Sequence, residues 1–225
     1  MEFVGLVDRH LGLALRKQLA LMDFLGEHTW QLDLDSGTVD FGRSGLFARK
    51  RVYPVQVLGT EADAAQTWLW AWANEASGIP PSLLRAVNRV KALGQSQGIA
   101  ELTQPELPLA SFPGHILASV CSAICHADGY YRGPYDGGAV YFLLSGTPLA
   151  SPSPTPVPRM IAVLTDAISQ QPVNHHAMAT AYLRAEGLTL KQEGTTLTAS
   201  APDGRSLTVS FDPQNRISDI RARVG

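Results

Sequence analysis

Cysteine is scarce in this chain. Cys121 and Cys125 are its two, and a pair so close together offers no disulfide framework. Charge of one sign is lacking as well: 18 Lys and Arg against 20 Asp and Glu leave a net −2 at pH 7. That balance argues against a nucleic-acid or membrane-surface specialist. No apolar run reaches bilayer-spanning length. The start, Met1-Glu2-Phe3 with Asp8 and Arg9 following, lacks the basic head and cleavage site of a signal peptide, so a cytoplasmic location is expected. No catalytic or cofactor motif rises above background. No cofactor, nucleic acid or membrane is expected as a partner. What remains is an ordinary folded chain, 45% hydrophobic and 17% charged over 225 residues, enough for one large or two small domains.

The stretch Thr67-Trp68-Leu69-Trp70-Ala71-Trp72-Ala73-Asn74 sets tryptophans two residues apart. Read as a strand, it puts Trp68, Trp70, Trp72 and Asn74 on one face and Thr67, Leu69, Ala71 and Ala73 on the other. Apolar on both faces, it reads as the covered, central strand of its sheet. Its indoles read first as core. A stacking platform for sugar rings or bases is the alternative, with Asn74 at its mouth.

Around it, Glu2–Gly26 reads as a helix and residues 30–35 and 38–41 as a hairpin turning at Ser36-Gly37. That turn sets Leu34 opposite Val39, Leu32 opposite Phe41 and Asp33 opposite Asp40. Val52–Leu58 follows as a strand whose Pro54 suggests an edge or a bulge. Helices start after Pro80-Pro81, stopping at Gly94, and after Pro113, ending near Gly129. Asp136-Gly137-Gly138 turns into a strand at Ala139–Leu144. Alternating prolines from Pro148 to Pro158 read as a semi-rigid linker. Beyond it come helices Arg159–Gln170 and Asn174–Glu186, then strands Leu188–Gln192, Thr195–Ser200, Ser206–Phe211 and Ile217–Val224. The expected fold is α+β: N-terminal helices packed on an antiparallel sheet, then a smaller helix plus four-stranded antiparallel meander. The expected domains are 1–147 and 159–225, joined by linker 148–158.

Each chemical constellation has a plainer reading beside it. Asp33 and Asp40, with Asp35 nearby, could hold a metal or act as an acid/base pair, yet surface carboxylates pair at little cost. No metal is expected. Cys121, Cys125 and His126 suggest zinc, but no second ligand pair appears, and buried thiols fit better. His115, Ser119, Ser122 and His126 form a polar stripe on their helix. The basic segment Arg43 to Arg51 reads as a solvated loop. Tyr130–Asp136 reads as a loop rich in tyrosine, whose Arg132 could grip a carboxylate or phosphate. The ligand-contact candidates are therefore Trp70, Trp72, Asn74, Tyr131, Arg132, Tyr135 and Asp136.

Gln56-x-Leu58-Gly59-Thr60 followed by Thr67–Asn74, together with Trp30-Gln31-x-Asp33, Phe41-Gly42 and Tyr130-Tyr131-Arg132, resembles an uncharacterised bacterial family of unknown function over roughly residues 1–150. The resemblance implies no activity. Two functional readings stand. The first is a non-catalytic binding or protein-interaction protein of the bacterial cytoplasm. The second is a small-molecule binder or hydrolase-like enzyme with a pocket at Asn74 and Tyr131–Asp136. An unknown protein partner, a small molecule and a homodimer all stay open.

Overall fold

Eleven residues rich in β-branched side chains, Val52–Ala62, form strand β3. It pairs antiparallel with β2 (Thr38–Gly42), β4 (Thr67–Trp70) and β7 (Gly138–Leu144). β1 (Thr29–Asp33) extends the sheet beyond β2, β5 (Glu106–Pro108) beyond β4 and β6 (Gly129–Tyr135) beyond β7, for seven strands in all. The computed structural model describes residues 2–42, 51–149, 155–170 and 172–223. The basic segment at 43–50 and the linker residues 150–154 lie outside the described residues.

Several sequence expectations change here. β3, not the tryptophan stretch, is the hub, and Pro54 lies within its pairing to β2 rather than on an edge. The tryptophan strand ends at Trp70, and Ala71–Ala73 turns as a 3-10 helix. β5 then has only the first part of β4 to pair with. The first hairpin turns over Leu34–Gly37, so Asp33 opposes Thr38 and Asp40 opposes Gln31. The Asp33 carboxylate accepts the backbone N–H groups of Asp35 and Ser36, and this Asx-type turn overrides the two-residue turn. Tyr130–Tyr135, expected as loop, is strand β6, because a two-residue connection at Asp136-Gly137 lets it pair with β7 along its length. Gly94 does not stop its helix, α2 (Arg85–Gln97). It is buried under Leu102, and left-handed Gly98 forms the cap.

A register shift between Val57 and Gly59 against β7 leaves Leu58 as an extra residue. Such a bulge reverses which residues face which side. Before it, Val55 joins Val39, Phe41, Phe142, Leu144 and helix residues Leu21 and Leu25 in one core cluster. After it, Gly59 and Glu61 share the other face with their cross-strand neighbours Trp70, Trp68 and Tyr141. Helix α3 (Gly114–Ile124) touches this second face, where Gly114 approaches Glu61 and Tyr141. Gln56 fixes α2: its side chain accepts the Ala86 N–H and donates to Ser82 O. Gly59 leaves room for the Trp68 ring, which a Cβ would meet at 2.6 Å.

The chain divides into two units: residues 1–3 with 17–150, and 4–16 with 151–225. The N-terminal helix α1 (Phe3–Leu25) contributes to both. The second unit also holds α4 (Val157–Gln170), which takes in the last two residues of the expected linker, and α5 (His175–Ala185). The Asn174 side chain caps α5 by accepting the Ala177 N–H. Strands β8 (Thr189–Glu193), β9 (Thr196–Ser200), β10 (Ser206–Phe211) and β11 (Ile217–Arg223) form an antiparallel meander in the order β11-β10-β9-β8. Leu197, Ala199, Leu207, Val209 and Phe211 are its buried face. Among the described residues no helix is long and apolar enough to cross a membrane.

Candidate functional site

The bulge in β3 gives the first unit two chemically different regions. On the helix-covered face, Glu61 is the centre. Its Oε1 accepts the Tyr141 hydroxyl at 2.9 Å and the Gly114 N–H at 3.2 Å, and its Oε2 accepts Arg132 Nε at 3.1 Å. Gly114 opens α3, so the carboxylate meets the positive end of that helix. Glycine suits this position, because a Cβ at 114 would press on the Glu61 carboxylate and force it to shift. His115, next along α3, sets Nδ1 3.1 Å from the Tyr130 hydroxyl. Burial pushes the Tyr130 phenol up to about 12, against a hydrogen bond with Ser119 that lowers it. The Tyr141 phenol is also pushed up, by burial first and then by the Glu61 charge. Both phenols therefore stay protonated at neutral pH.

Trp68 and Trp70 close this face. Both are 0% exposed, with ring centroids 5.2 Å apart, and Trp68 lies edge-on to Tyr141. Trp70 Nε1 donates to Glu101 O. The two form sealed core, not a platform. Trp72, beyond the strand end, carries the Lys91 ammonium 3.6 Å over its ring, a cation–π pair.

Off this face, the hairpin turn, the bulge and the segment after β4 border a partly open cavity of about 130 Å³. Leu32, Leu34, Val57, Gly59, Thr60, Ala71, Asn74, Ser77, Ile79 and Val140 line it. Asn74 sits between the 3-10 turns Ala71–Ala73 and Glu75–Ser77, its backbone N–H donating to Ala71 O. Leu34 reaches the cavity because the longer turn takes it out of the β1–β2 ladder.

Of the ligand-contact candidates, Asn74 alone lines this cavity. Tyr131 belongs to an aromatic cluster with His28, Trp30, Phe41 and Phe142, its hydroxyl 3.0 Å from His28 Nε2. Arg132, its neighbour on β6, points to the opposite face and pairs with Glu61. Tyr135 and Asp136 are exposed where β6 turns into β7. These residues do not converge.

Nor do the metal candidates. Asp33 is taken up by its turn, whose Ser36 N–H holds the carboxyl below its usual value. Asp35 is exposed, and Asp40 is half-buried with Oδ1 unbonded among the described residues. Among the described residues no three His, Cys, Asp or Glu gather to hold an ion. Cys121 and Cys125 are free thiols, both pushed up by burial, and Cys125 Sγ donates to Ala86 O.

Glu61 escaped the sequence reading. Its signal was a lone acid closing an otherwise apolar and neutral strand, Val52–Ala62, with Tyr141 likewise alone in the run Ala139–Leu144.

Residues 4–147 match a family of unknown function, DUF6882. The chain belongs to that family, so the expectation of an uncharacterised family holds. Comparison with curated proteins and with solved structures finds no match.

Proposed function

We propose that this member of the family is a non-catalytic binding protein whose ligand occupies the Asn74 cavity. The observation that carries the reading is the cavity itself, about 130 Å³ of mostly apolar space into which Asn74, Thr60 and Ser77 bring neutral polar groups. An apolar hollow with a few converging polar groups is the usual form of a small-molecule site. The other chemically dense cluster supports the same reading from the opposite side. Both oxygens of Glu61 accept hydrogen bonds from within the fold, so the carboxylate is spent on architecture. We take the protein to work in the bacterial cytoplasm, from its balanced charge and the resemblance of its motifs.

The test is a fragment titration followed by methyl NMR. Binders should shift the methyl signals of Leu32, Val57 and Val140. Ala71→Leu, which grows a side chain into the space, should abolish those shifts. Fragments that bind while leaving these methyls still would overturn the reading.

A further inference from the structure

We infer that the cavity takes a neutral molecule the size of one aromatic ring, carrying a single hydroxyl or amide group; the inference rests on the binding reading above and deepens it.

Size comes first. The space of about 130 Å³ compares with the roughly 150 Å³ of an apolar cavity that holds benzene. It is far below the ~300–1,000 Å³ of sites for larger ligands.

Charge comes second. None of the described residues lining the cavity is Asp, Glu, Lys, Arg or His. A charged ligand would lose its hydration here with nothing of opposite sign to replace it, and isolated charges are the costliest groups to bury. The Glu61 and Arg132 side chains, which could have supplied charge, are turned to the other face by the bulge and by β6.

The polar handle comes third. Leu32, Leu34, Val57, Ile79 and Val140 supply the apolar wall, and Thr60, Asn74 and Ser77 the groups able to hydrogen-bond. An amide both donates and accepts. Among the described residues no hydrogen bond engages the Asn74 side chain, while its backbone N–H donates to Ala71 O. A ligand with no polar atom would strand that amide, whereas one hydroxyl or amide would answer it.

The test compares benzene, phenol, benzoate and benzylammonium by the same methyl signals, giving a Kd for each. Phenol should bind about three- to tenfold tighter than benzene, the gain expected of one added hydrogen bond. Both charged probes should bind more weakly than either. Asn74→Leu should erase the preference for phenol while keeping benzene. Thr60→Val, which removes a hydroxyl without changing shape, guards against a misfolded Asn74 variant and should reduce the preference in part. Equal affinity for phenol and benzene, or tighter binding of either ion, overturns the ligand class and leaves the cavity reading standing. If none of the four shifts these methyls, the cavity reading falls, and this inference with it.

Discussion

Each unit of this chain buries a glutamate against an arginine and a tyrosine, and the two arrangements differ in how the charge is held. In the first unit Glu61 sits at the start of α3, accepts a backbone N–H there, and meets Arg132, whose side chain is still 34% exposed. In the second, Glu186 caps the C-terminus of α5, the negative end of a helix, where a carboxylate is unfavourable. Its partner Arg16 lies 2.9 Å away, with side chains only 8% and 6% exposed. Tyr182 packs beside them, its phenol pushed up by burial and then by the Glu186 charge. A glycine allows close approach in each: Gly114 against the Glu61 carboxylate, and Gly12 on α1 against the Tyr182 ring. Glu61 is thus held at the positive end of a helix, whereas Glu186 stands at the negative end of one, against Arg16 and Tyr182.

The sharpest way to break that contrast is Glu186→Ala. It removes the anionic partner of a buried guanidinium and should cost about 3–5 kcal/mol. All four tryptophans lie within residues 17–150, so their fluorescence follows the first unit, and far-UV circular dichroism is needed to see the second. Replacing the pair together, Arg16→Met with Glu186→Leu, should recover most of the loss, since apolar pairs of similar volume often replace buried ion pairs at no cost. If Glu186→Ala costs less than about 1 kcal/mol in urea unfolding, the pair is not the sealed one its exposure suggests.

Glu61→Ala should cost less, about 2–3 kcal/mol. It leaves the buried Tyr141 hydroxyl and the Gly114 N–H without their acceptor, while Arg132 can turn to water. Gly114→Ala should cost about 1–2 kcal/mol by overpacking the same carboxylate. Because both act through one group, the double variant should be less destabilised than the sum of the two. Strict additivity, read from tryptophan fluorescence in urea, would sink the idea that Gly114 is there for Glu61.

Much of this architecture is legible in the sequence, and the losses have physical causes. The second unit reads well because each strand is bounded by strong turn formers, such as Glu193-Gly194 and Asp212–Asn215, and alternation marks the buried residues of β9 and β10, though Ala222 on β11 is exposed. In the first unit β5 and β6 are not legible as strands, nor are the faces of β3. One extra residue at Leu58 exchanges the faces of β3, and alternation cannot reveal a bulge. A side chain did the same to the first hairpin: Asp33 folds back on Asp35 and Ser36, which shifts the register and separates it from Asp40. Asn74 drew attention as the end of a tryptophan row, and it does border open space. It does so from a 3-10 turn, without Trp68 and Trp70, which lie in sealed core.

The smallest expected effect is also the most specific, because only the Glu61 cluster carries a histidine. The His115 ring packs 5.4 Å from Tyr141, and burial is the main reason its pKa is lowered from 6.5. The Glu61 charge opposes that shift and the Arg132 charge adds to it. As pH falls below 6.5, the unfolded chain takes up a proton at this position before the folded one does. The stabilisation from neutral His115 is therefore complete above about 6.5 and is lost as pH falls from there toward the lower folded value. Asp33, Asp203 and Asp212, all held below 3.8 by hydrogen bonds, act in a more acidic window and leave this one clear. Urea unfolding of the first unit, followed by tryptophan fluorescence from pH 8 to 5, should lose part of its slope in His115→Gln. Arg132→Met should shift the decline in the opposite direction from Glu61→Gln, since one removes a charge that lowers the histidine and the other a charge that raises it. The same series read on the second unit, where Arg16, Tyr182 and Glu186 have no histidine among them, should show no change on substituting His115. A matching change there would dissolve the distinction between the two clusters.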